Sequence, residues 1–214
     1  MNRTSLTADR MESAAFAAMA VFAAYLCLSA ARLSSENITL VRHGVMVDPA
    51  ICESVGKGAS WQEAKTGYFD LYVERGVDLN VVERSLHRRL FLVKPASGRG
   101  AGKEDDIARR LDNICERAMD ILDLHPNMPR RGIRIFKNRE DLNAAYATLT
   151  GKSGNIKAFY SQDCGVIYTS EYGITDSVMA HEIAHAIVDT HYNGVPQPKV
   201  GEMLASYVDM HISD

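Results

Sequence analysis

The chain has 214 residues, 46% of them hydrophobic, enough to bury one good core with a small extra layer. Its formal net charge of −3 provides no basic field for nucleic acid, so that class of partner is not expected. The cysteines include no Cys-x-x-Cys pair, which argues against a cysteine-built structural zinc site.

Ser13 to Ala31 is a nearly unbroken, alanine-rich apolar run that follows Arg3 and Arg10. It reads as a signal sequence with small residues at Ser29-Ala30-Ala31, or as an uncleaved anchor nearly long enough to span a bilayer. Residues 1–35 are accordingly expected to be a signal peptide or membrane anchor, and the protein exported or membrane-anchored, on the extracytoplasmic side. No lipobox precedes Cys27. Cys52, Cys115 and Cys164 remain after that segment, and three cysteines allow at most one internal disulfide. Residues 36–64 read as a linker or N-terminal extension, in which Asn37-Ile38-Thr39 fits a glycosylation acceptor of the eukaryotic secretory route.

A strand is expected over Tyr68 to Glu74 and a helix over Asp78 to Leu90. The stretch from Pro95 to Lys103 is a glycine-rich connector without the spacing of a phosphate loop, so nucleotide binding is not expected. Ile107, Leu111, Ile114, Ala118, Ile121 and Leu122 give Lys103 to Leu124 a helical apolar face, ended by Pro126. Ile133 to Phe136 alternates as a strand, Arg139 to Leu149 reads as a helix, and Lys157 to Tyr160 and Gly165 to Ser170 read as two more strands. A helix then follows Thr175 or Asp176 as N-cap, with Ala180, Ile183, Ala184 and Ile187 on its buried side. Past Asn193-Gly194 and the Pro196-x-Pro198 turn, Val200 to Asp209 forms a last helix. The loop is short enough for the two to pack antiparallel. The fold class is α+β.

The chemistry concentrates at residues 181–185, His-Glu-Ile-Ala-His. On a helix His181 and His185 leave the same face one turn apart, so both neutral imidazoles can ligate one zinc ion. Glu182 lies beside the first ligand, within reach of a metal-activated water without occupying a coordination position. A catalytic zinc takes three protein ligands and keeps one position open. His191 is one candidate for the third, at the spacing of the metzincins. In their His-Glu-x-x-His-x-x-Gly-x-x-His pattern a glycine lets the chain turn back to the metal. Val188 stands there in this chain, and a β-branched residue disfavours that turn. A helix that runs on carries His191 about nine ångströms past His185. Glu202, near the start of the last helix, is the other candidate and the preferred one.

The helix pair with its Glu202-x-Leu204-Ala205-x-Tyr207 run resembles the gluzincins, the thermolysin-like, peptidase-MA-like branch of the zincin metallopeptidases. The order strand, helix, two strands and motif helix is also similar to a zincin upper subdomain. The resemblance implies a zincin-like domain over residues 65–214, in a small form lacking a C-terminal subdomain, with His181, His185 and Glu202 as zinc ligands. It implies that the last strand before the motif helix, residues 164–170, is the edge strand that holds an extended substrate by strand addition. It implies hydrolysis of peptide bonds, with Glu182 as general base and Tyr207, or else Tyr192, as oxyanion donor. Thermolysin-like enzymes carry an aspartate one turn after the glutamate ligand. Here Ser206 stands there, and Asp209, two turns on, is the nearest acid to support a ligand. With the chain running only to Asp214, the cleft is expected to be open on one side. The expected partner is a peptide or protein substrate, with a membrane contacted through the N-terminal segment. Two alternatives stay open: a zinc-bearing module that binds an extended segment with little or no cleavage, and a metzincin-like peptidase using His191.

Overall fold

The computed structural model of the chain describes residues 48–86, 103–194 and 197–213. The apolar run Ser13 to Ala31, Asn37, most of the glycine-rich connector and the expected helix beyond Leu86 lie outside the described residues. In chain order come helix α1 (Pro49–Ser54), strands β1 (Trp61–Lys65) and β2 (Phe69–Glu74), and helices α2 (Leu79–Leu86) and α3 (Lys103–Leu122). Strand β3 (Arg131–Phe136), helix α4 (Arg139–Thr150), strands β4 (Ala158–Ser161) and β5 (Val166–Ser170), and helices α5 (Asp176–Tyr192) and α6 (Pro198–His211) follow. The stretch 36–64, read as a linker or extension, thus contributes α1 and β1 to the fold. Among the described residues no helix is long and apolar enough to cross a membrane.

The five strands form one mixed sheet in the order β1-β2-β3-β5-β4. β2, β3 and β5 run parallel in the middle, with Leu71 beside Ile133 and Ile133 beside Ile167. β1 and β4 are antiparallel at the two edges. Residues 164–170 were expected to supply the edge strand, and this is corrected by the strand order. β5 lies between β3 and β4, so β4 is the edge. The sequence order of two strands joined by a tight turn does not say which of them meets the rest of the sheet.

Period-2 alternation sends Phe69, Leu71 and Val73 of β2 and Ile133 and Ile135 of β3 to one face. There they pack with Leu111 and Ile114 of α3 and with Ile183 and Ile187 of α5 in the main core. The other face is smaller. Phe136, Phe159 and Tyr168 pack there with Leu142 and Leu149 of α4 and with Val55 just after α1. Helices therefore cover both faces, and β5 is buried from Ile167 to Ser170.

Local signals set the helix ends. Asn138 caps α4 by accepting from the Asp141 N–H, and Gly151 ends it at φ 69°. Thr175 caps α5 through Oγ1, which accepts from the Val178 N–H, and Asn193 ends it at φ 49°. Asp176 is instead a first-turn acid. It lies buried against Arg110 of α3. Pro198 opens α6, where its missing N–H leaves no bond unmade.

Of the three cysteines expected to share at most one bond, Cys52 and Cys164 pair, and Cys115 is free and buried. Burial, with Asp112 and Glu116 nearby, pushes the Cys115 thiol up to about 12. The disulfide ties α1 to the turn between β4 and β5 across a sequence separation of 112. Closing so long a loop restricts the unfolded chain and stabilises the fold by about 2–4 kcal/mol. A Cys52→Ser/Cys164→Ser double variant is expected to lose that much in urea unfolding; an unchanged midpoint would show that the bond does not constrain the folded chain.

Candidate metal centre

The site forms where α5 meets α6. α5 crosses the core face of the sheet with Met179, Ala180, Ile183, Ala184 and Ile187 buried. This rotation turns His181 and His185 the other way, half-buried at the wall of a cavity of roughly 410 Å³. The turn after Asn193 brings α6 back across α5, with Gly201, Ala205 and Val208 against the core. Gly201 packs beside His185, where even an added Cβ would stand 3.8 Å from Nδ1. That closeness lets the neighbouring Glu202 reach both histidines.

The donor atoms of the three side chains lie close together. Nε2 of His181 and Nε2 of His185 are 3.2 Å apart. Glu202 sets Oε2 3.5 Å from the first and Oε1 3.5 Å from the second. A tetrahedral ion with bonds of about 2.0–2.2 Å holds its ligand atoms about 3.3–3.6 Å apart; the two nitrogens are near that spacing, and each has a different Glu202 oxygen near it. His181, His185 and Glu202 form a group that can hold a metal ion, every ligand atom within 4.8 Å of the others. Burial lowers the His185 pKa, with Glu202 acting against that and His181 adding to it. The neutral imidazole is thereby favoured, and it is the form a metal requires.

Glu182 lies next to the ligands and also lines the cavity. Burial, opposed by the backbone N–H of Tyr160 of β4 and joined by the nearby Glu202, pushes its carboxyl up to about 7. A carboxyl poised near neutrality accepts and returns protons well at physiological pH. The cavity continues along β4 past Tyr160 to Ala158 and Ile156, with Tyr146 of α4 beyond.

The other sequence candidates lie elsewhere. α5 runs straight on past Val188, as its side chain suggested, so His191 is exposed and faces Tyr192 at 4.8 Å rather than the ligands. Tyr207 is exposed, its ring 4.5 Å from that of His211, and it is not among the residues lining the cavity. Five residues beyond Glu202, it leaves the helix about 140° away around the axis. Tyr192 is also exposed and off the cavity wall. Asp209 is half-buried, and among the described residues no hydrogen bond joins it to either histidine.

Sequence reading missed Asp189, Tyr160 and Gln162. Asp189 lies one turn past His185 and accepts from the Tyr160 hydroxyl at 2.8 Å and from Gln162 Nε2 at 2.7 Å. The i, i+4 step from His185 to Asp189 was visible in the sequence. Its partners are on β4 and in the turn after it, and no local pattern points to them.

No protein-family model, curated protein or solved structure matches the chain.

The two shifted groups give the metal-free protein a defined pH response. Glu182 is raised from an ordinary 4.5 to about 7, so the native state keeps a proton that the unfolded chain releases. Stability from this group is full below about pH 4.5 and is lost as pH rises through 7. His185, lowered from 6.5, acts oppositely: its share is present above that value and is lost as pH falls through its folded pKa. Glu182→Gln removes only the first effect. Urea unfolding of the metal-free forms should find the variant gaining on wild type from about pH 5 to pH 8. Parallel pH curves would show that the Glu182 carboxyl is not raised.

Proposed function

We propose that the chain is a zinc-dependent peptidase of the gluzincin kind, a zincin-like α+β domain that hydrolyses peptide bonds. The observation that carries this reading is the donor cluster of His181, His185 and Glu202 with Glu182 immediately beside it. Two imidazoles and a single carboxylate, all able to meet one tetrahedral ion, are a donor set suited to zinc. A zinc ion held there supplies a Lewis acid that polarises a carbonyl and acidifies a water.

The chain's own residues do the rest. Glu182 takes a proton from the attacking water as its oxygen bonds to the carbonyl carbon. It then returns a proton to the departing amine nitrogen as the C–N bond breaks. Among the described residues β4 has a partner strand on one side only, so an extended peptide can add along its other edge beside the cavity. The substrate is thus a peptide or an extended protein segment. Tyr207, turned away toward His211, is left out of the mechanism.

That leaves no tyrosine among the candidates to hold the oxyanion, which favours one second reading: a zinc-bearing module that holds an extended segment and cleaves it slowly or not at all. Retention of Glu182 in the cavity favours the enzyme, because metal binding alone does not need it. The disulfide supports an extracytoplasmic location, since such bonds persist in oxidising compartments. An N-terminal signal or anchor would bring the chain there.

Two measurements test the reading. Elemental analysis should find about one zinc per chain, strongly reduced in Glu202→Ala and retained in His191→Ala; the reverse pattern would give the third position to His191. Glu182→Gln should keep its zinc but slow peptide cleavage by about 10²–10⁴-fold. Equal cleavage by variant and wild type would rule out Glu182 as the base.

A further inference from the structure

The edge strand β4 spans only Ala158–Ser161 and, among the described residues, pairs with a single neighbouring strand, β5. A strand so short and one-sided opens readily unless side chains fasten it. Phe159 does so on one face, stacked 4.8 Å from Tyr168 in the smaller core. On the other face the fastening is polar and converges on one carboxylate. The Tyr160 hydroxyl donates to Asp189 Oδ2 at 2.8 Å, and Gln162 Nε2 donates to Oδ1 at 2.7 Å. Arg131 of β3 reaches Oδ2 from behind at 3.4 Å and Thr190 Oγ1 at 3.1 Å.

We propose that Asp189 is a positioning residue that fastens β4 to the helix bearing the candidate ligands, holding the strand's free edge where an extended peptide can pair with it. This rests on the peptidase reading above. Asp189 is largely buried, at 12% side-chain exposure, and each of its oxygens already accepts a donor. It stands in the cavity wall, but its oxygens are taken up by donors from β4 and the turn after it, so it acts through them. Its place one turn past His185 matters more. Whatever it ties down keeps a fixed distance from the ligands on the same rigid helix. Tyr160 is tied through its hydroxyl to Asp189 and lines the same cavity as Glu182. Arg131 sets a guanidinium nitrogen 3.4 Å from the same carboxylate, adding a third contact from β3 to the two from the β4 side.

The test uses the full zinc-loaded chain and three variants: Asp189→Ala, Asp189→Asn, and the double variant Tyr160→Phe/Gln162→Ala, which releases the strand but leaves the Arg131–Asp189 pair. Amide exchange over residues 158–162 should accelerate about tenfold or more in Asp189→Ala and in the double variant. Exchange across α5 and zinc per chain should stay as in wild type. For an internally quenched peptide of about eight residues, KM should rise about tenfold while kcat holds within about twofold, the mark of lost binding rather than lost chemistry. Asp189→Asn, which keeps an acceptor, should fall between. Unchanged exchange over 158–162 in both strand-releasing variants would overturn the proposal. So would lost zinc or faster exchange throughout α5, which would make Asp189 a prop of the helix. A wild type that cleaves no peptide would remove the peptidase reading instead. The proposal is then decided by fluorescence anisotropy with the same peptide: affinity about tenfold weaker in Asp189→Ala supports it, and unchanged affinity overturns it.

Discussion

Arg110 and Asp176 form an ion pair in the interior, Nη2 to Oδ2 at 2.8 Å and Nε to Oδ1 at 3.1 Å, with both side chains almost wholly out of water. Arg110 Nε also meets the Leu86 carbonyl at 2.8 Å, so one guanidinium joins the end of α2, the middle of α3 and the start of α5. Such a pair adds little net stability over well-packed apolar residues, because both charges lose their hydration. Its contribution is register. A helix with an alanine-rich buried side can slide or rotate at small energetic cost, and an unpaired buried charge makes that costly. With the first turn of α5 fixed by Asp176, His181 and His185 can emerge only at the cavity wall. Arg131 and Asp189 act in the same way near the helix's other end, where they are somewhat more accessible. Two arginine–aspartate pairs thus bracket the helix segment that carries His181 and His185.

How much of this was legible depended on how local each signal was. The motif helix, its Thr175 cap and the common face of His181 and His185 follow from spacing along one element. Glu202 was legible because a short loop between two helices leaves few ways to pack them. Val188 correctly argued against a turn toward His191. Beyond neighbouring elements the sequence said less. β4 and β5 were both expected, but their order depends on β5 matching β3, a pairing between residues more than thirty positions apart. Tyr207 drew attention by its place in a family-like run, and its rotation around α6 turns it from the cavity. β1 was missed because Trp61–Lys65 is a mostly exposed edge strand without clean alternation. Three cysteines permitted a disulfide but did not select the pair.

The electrostatics of the cavity tie these pieces together. Glu182 is raised because it is buried and Glu202 is near; His185 is lowered because it is buried. Each shift records a charged form that the surroundings do not stabilise. A divalent cation among Nε2 of His181, Nε2 of His185 and the Glu202 oxygens would favour the Glu182 carboxylate and keep both imidazoles deprotonated, so the shifts that penalise the metal-free protein become affinity for the ion. The backbone of Tyr160, on the strand side, lowers the same carboxyl and so opposes its protonation. A peptide laid along β4 would therefore arrive beside the Glu182 carboxyl, on the wall of the same cavity. The strand proposed to position a substrate thus runs along the same cavity wall as the proposed base, which gives a physical reason for bonding it to the helix that carries both histidines.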